Sequence, residues 1–237
     1  MNYFCQSLWA IFVKDIVTEF RSKQVLPTMI VLGMLIVYVM RIVSEAPSAN
    51  TAVIGPAVLW IAFLFSGLLA QERSFAIEQQ QDCIAGLLLA PVETGTIYIA
   101  KLFANIIMLC VFEAVVVSMA FVTFQLSVAG RWIPFIIVLL LGNIGISSVG
   151  TLFSAIVQLS GGRAALLSVL VLVVLMPMMI PATFALLTLF SAIGTRVVGS
   201  GALAFVGSFD AAVGYMVAFD AVFFVVSWLL FGFVVKE

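Results

Sequence analysis

The chain has 237 residues, 65% hydrophobic and only 9% charged, with a mean hydropathy of +1.31. Soluble domains carry about 25% charged residues, so this chain cannot cover its own surface in water and belongs in a bilayer. A formal net charge of −1 offers no footprint for nucleic acid, and the lack of any histidine excludes His-ligated haem, His-metal sites, Ser-His catalysis and His proton relays.

In chain order, residues 1–24 come first. Phe4, Leu8, Phe12, Ile16 and Phe20 recur at every fourth position, whereas Lys14, Asp15, Glu19, Arg21 and Lys23 fall mostly elsewhere. That pattern predicts an amphipathic helix lying on the cytoplasmic membrane interface. The apolar stretch from Leu8 to Val13 is short, follows no basic segment and precedes no small-residue cleavage site, so it does not read as a cleaved signal.

A helix needs about 20 apolar residues to cross the hydrocarbon core. Six stretches qualify: Val25 to Val43, Thr51 to Ala70, Tyr98 to Phe124, Trp132 to Gln158, Ala164 to Phe190 and Ala211 to Val235. Barrel strands would alternate and be half as long. The expectation is an all-α, polytopic membrane protein in which residues 25–237 form a six-helix transmembrane domain. With the N-terminus inside, Lys14, Arg21, Lys23, Arg73, Lys101, Arg163 and Lys236 are cytoplasmic, and only Arg41, Arg131 and Arg196 are outside. The positive-inside rule therefore places both termini in the cytoplasm.

Two connections are longer than the rest: the outer one from Gly194 to Asp210, and the inner one at residues 71–97. The inner one begins QERSFAIEQQQD, with four charges and four glutamines, and continues CIAGLLLAPV. Its first part is polar enough to leave the bilayer. Its second part places Ile84, Leu87 and Leu88 on one helical face, and Pro91 ends that helix. An apolar face outside the membrane needs a surface to bury it, such as a groove on another protein. The chain contains no G-x-x-x-x-G-K-[ST] loop, so energy for moving anything against a gradient has to come from a partner.

Glu72 and Arg73 directly after the second span, then Glu78 and Asp82, then Leu88, Leu89 and Pro91, resemble the coupling segment of ABC-2-type permeases. More narrowly, GPAVLWIAFLFSGLLAQERSF, LLLAPVETGTIYIAK and GGRAALLSVLVLVVLMPMMIP make almost the whole chain similar to the CcmB family, the haem exporter B permeases of cytochrome c maturation. The turn Asp82-Cys83-Ile84-Ala85-Gly86 departs from the Gly-Ser-Leu-Glu-type turn that the resemblance leads one to expect. The resemblance implies a non-catalytic permease subunit in the inner membrane of a bacterium, a homodimer served by a separate CcmA-like ATPase. CcmC-like and CcmE-like membrane proteins are its implied partners. On this reading Glu72, Arg73, Glu78, Asp82, Leu87, Leu88 and Pro91 couple the ATPase. ATP binds on the partner, no cofactor is bound directly, and the work is haem export or release of the haem-loaded chaperone. Rival readings are an ABC-2 permease for a lipid, polysaccharide or drug, a membrane assembly scaffold, and a membrane enzyme built on two carboxylates.

Those carboxylates are Glu113 and Asp220, near mid-depth in the third and sixth spans. A carboxylate at helix centre costs on the order of 3 kcal/mol on insertion scales, so each should face the bundle interior. With no intramembrane cation to pair with, they are expected to be protonated or hydrogen-bonded to Asn105, Asn143, Ser147 or Ser148, as a clamp between helices or a proton path. Acids without basic partners would repel haem propionates. Pro177 and Pro181 should kink the fifth span, and Gly142 to Gly150 supplies small-residue spacings for close helix contact.

Overall fold

A computed structural model describes residues 2–22, 24–45, 51–80, 94–128, 130–159, 164–190 and 207–234. The regular structure among them is wholly helical: α1 (Asn2–Ser22), α2 (Val25–Val43), α3 (Thr51–Gln80), α4 (Thr94–Phe124), α5 (Trp132–Leu159), α6 (Ala164–Phe190) and α7 (Phe209–Val234). The six helices α2 to α7 are each long and apolar enough to cross a membrane, and α1 precedes them.

The helix ends differ from the expected spans where polar residues take part. Hydropathy drops after Ala70, but α3 continues unbroken to Gln80, because Gln, Glu, Arg and Ala are good helix formers in water. At the other side of the inner connection α4 starts at Thr94, four residues before the apolar run. The start of α7 is set by a cap: the Ser208 hydroxyl accepts from the Ala211 N–H at 3.2 Å.

Helix α5 is the hub. It packs against α3, α4, α6 and α7, and 72% of its spanning window is buried, against 22% for α2 and for α7. Three glycines make the close approaches possible. A Cβ on Gly142 would enter the Trp60 ring of α3, one on Gly145 would meet Met178 of α6 and Asp220 of α7, and one on Gly150 would overlap the Gln71 amide of α3. Helix α6 runs continuously through Pro177 and Pro181, with Met178 buried against the hub.

The two ends of the bundle are closed differently. At the α4–α5 turn, where Gln125 and Gly130 take positive φ, Phe121 stacks on Trp132, and Phe190 meets Phe121 and Phe135 edge to face. Arg131 there donates to the carbonyls of Thr188 and Leu189, which the end of α6 leaves without intrahelical partners. At the opposite end, α1 lies against α4. Its Leu8, Ile11 and Phe12 join Ile97, Tyr98, Leu152 and Phe231 in an apolar cluster separate from the main core. Ile11 is buried, and Trp9, Val13 and Val17 make a second, exposed apolar strip. Leu8 and Phe12 of the first strip pack on the protein, and the second strip faces outward.

Candidate functional site

The polar groups that the sequence buries in apolar helices gather along α5. Glu113 lies eleven residues before the end of α4 at Phe124. Asn143 lies eleven after the start of α5 at Trp132, and Asp220 eleven after the start of α7 at Phe209. At 1.5 Å per residue all three sit about 16 Å below the same end of the bundle. They form one layer.

Within it, Asn143 Nδ2 donates to Glu113 Oε2 at 2.8 Å and lies 3.5 Å from Cys110 Sγ. Glu113 is 4% exposed and Asn143 fully buried. The other oxygens of this layer, Glu113 Oε1, Asn143 Oδ1 and both of Asp220, have no hydrogen-bond partner among the described residues. Two turns further along, Asn105 Nδ2 donates to Thr151 Oγ1 at 2.9 Å. Asn105 precedes Glu113 by eight residues, and Thr151 follows Asn143 by eight, so both bonds belong to one antiparallel register of α4 on α5. Asn105 is thus tied to a threonine and not to a carboxylate. Ser147 is fully buried with an unpartnered hydroxyl, and Ser148 donates to the Gly145 carbonyl within its own helix.

Nearer the α1 end the polar contacts become structural ties. Tyr98 donates to the Ser148 carbonyl at 3.4 Å and Gln71 Nε2 to the Ile146 carbonyl at 3.0 Å. The sequence counts Gln71 as the first residue of the water-facing connection, yet it is 2% exposed and fastens α3 to the hub.

The α1–α4 contact holds the remaining charges. Lys101, 6% exposed, has its Nζ 3.8 Å from Asp15 Oδ2, and Lys14 Nζ lies 3.1 Å from Asp15 Oδ1. Asp15, Glu19, Lys101 and Asn105 line a cavity of about 20 Å³, room for little more than one water. Burial, and then the nearby Asp15, pushes the Glu19 carboxyl above its ordinary value. The sequence sets Asp15 and Glu19 off the apolar stripe of an interfacial helix. Besides the neighbouring Lys14, Asp15 pairs with Lys101 from a helix more than 80 positions away, which no local pattern encodes.

Of the residues expected to couple an ATPase, Glu72, Arg73 and Glu78 fall on the final turns of α3, with their side chains outside the described set. Asp82, Leu87, Leu88 and Pro91 lie outside the described residues, as does most of the outer connection from Gly194 to Asp210.

A family model described as CcmB protein matches residues 6–231. No curated protein gives a match.

Proposed function

The chain belongs to the CcmB family, the permease subunits of the haem-export ABC transporter of cytochrome c maturation, and from that premise we propose how force enters it. It is a multi-pass, non-catalytic membrane protein of the bacterial Ccm system, working in an ABC complex with the CcmA ATPase. The proposal is that the ATPase docks on residues 71–97, with Glu72, Arg73, Glu78 and Asp82 keeping that segment in water. Leu87 and Leu88 seat it on the partner, and Pro91 turns the chain back.

The observation that carries this reading is the continuity of α3. Its spanning window ends at Gln71, which is anchored in the hub, but the helix projects nine residues further to Gln80, about 14 Å. A helix that crosses the boundary without a break can pass a displacement to the core. On the return side α4 resumes at Thr94, and seven residues later Lys101 pairs with Asp15 of α1. A push on the segment therefore reaches α3, α4 and α1 together.

The mid-depth layer of acids and amides favours movement of partner proteins over passage of haem, since it presents no cation to the propionates. The work done is then release of the haem-loaded CcmE-like chaperone from a CcmC-like partner, by two copies of this chain with both termini in the cytoplasm. Leu88→Asp puts a charge on the docking face without touching any span. In detergent pull-downs it is expected to lose the ATPase at least tenfold while the chain stays inserted. Undiminished retention of the ATPase would refute the docking.

A further inference from the structure

One hydrogen is missing from the Glu113–Asn143 contact. The amide Nδ2 donates to Glu113 Oε2 at 2.8 Å, but Glu113 Oε1 and Asn143 Oδ1 are both acceptors and meet no donor among the described residues. Both residues are more than nine-tenths buried, on helices whose register brings the two functional groups together. A buried acceptor left bare is destabilising, and an ionised carboxylate left so is more destabilising still. One proton would serve both bare oxygens.

We propose that Glu113 carries a proton on Oε1 and donates it to Asn143 Oδ1, making an acid–amide pair with two parallel hydrogen bonds that locks α4 to α5 at mid-depth. In forming the site the carboxylate takes one proton from hydronium: an O–H bond forms on Oε1, water is released and the carboxyl becomes neutral. Without the proton the pair keeps a single bond, and Glu113 Oε1 and Asn143 Oδ1 both stay without a donor.

Among the described residues the surroundings supply no other counter-charge. Helix α2 faces this region through Gly33, against Phe112 and Val116, and has no charged residue from Val25 to Met40. Helix α3 has none from Thr51 to Gln71 and α5 none along its length. On α4 itself Cys110 is the nearest titratable side chain, and α7 brings a second acid, Asp220, to the same level. Asp15 and Glu19 of α1 meet α4 at Lys101, twelve residues or about 18 Å along the helix from Glu113. A carboxyl set among an amide, a thiol and apolar groups, with a second acid at its level, takes a proton more readily than it tolerates a bare anion.

Infrared difference spectroscopy on the purified protein in lipid nanodiscs at neutral pH tests this. The wild type is expected to show a protonated-carboxyl C=O band that E113Q removes and D220N leaves in place. N143A should move that band to higher frequency, because the hydrogen bonds to the acid are gone. Glutamine can make both bonds with an uncharged amide, so E113Q keeps the fold and loss of its band is not loss of structure. If E113Q removes no such band, Glu113 is ionised and the proposal fails. If the band is present but N143A leaves it unmoved, the pair is not formed and the proposal fails equally.

Discussion

Glu19 sits beside Asp15 in the small cavity between α1 and α4, and its carboxyl holds its proton to higher pH there than in water. The docked state of α1 therefore binds more protons than the undocked state over the interval between the ordinary and the raised value. Docking is strongest below that interval and weakens as pH rises through it. Glu19→Gln removes both the desolvated charge and its repulsion with Asp15. Hydrogen-exchange protection of α1 is expected to fall with rising pH in the wild type, and in the variant to stay flat and be higher at neutral pH. At this scale the residue types were legible and their partners were not. Glu113 announces itself as an acid in an apolar run. Whether Asn143 or Asn105 would meet it depends on how α4 lies along α5.

The elements show the same division. Composition in long windows finds helices reliably, because about 20 apolar residues in sequence have few other fates in a bilayer. It finds their ends poorly, because hydropathy reports where lipid stops and not where backbone hydrogen bonding stops; α3 outlasts its apolar run by ten residues. The glycines of α5 advertise close packing, but only the fold pairs each with its intruder. Gly150 is the sharpest case, since the Gln71 amide occupies the space of a Cβ and in that position bonds the Ile146 carbonyl. Gly150→Ala is expected to displace Gln71 and cost about 1–3 kcal/mol of overpacking and lost hydrogen bonding. A lowered thermal midpoint in detergent would register it, and Gly214→Ala on α7, where a Cβ would meet nothing, serves as the unaffected control.

For the whole molecule, the arrangement that follows from charge is that residues 71–97 and both termini share the cytoplasmic side. In a variant carrying Cys5→Ser and Cys110→Ser, a membrane-impermeant maleimide is expected to label Cys83 only after the inner membrane is opened. Labelling of intact spheroplasts would invert the topology and remove the segment from reach of the ATPase. Membership of the CcmB family over residues 6–231 accords with the six-span reading and its lack of a nucleotide site of its own. The sequence by itself determined class, span number and the need for an external engine, because these follow from the amount and order of apolar residues and from chemistry the chain does not contain. Only the tertiary structure decided that α5 is the hub, that Asn143 meets Glu113, that Gln71 is an anchor and that Asp15 clips α1 to Lys101. Those pairings join residues 30 to 86 positions apart, and hydrogen bonds and ion pairs reach about 3–4 Å, so the register of packed helices has to exist before any of them does.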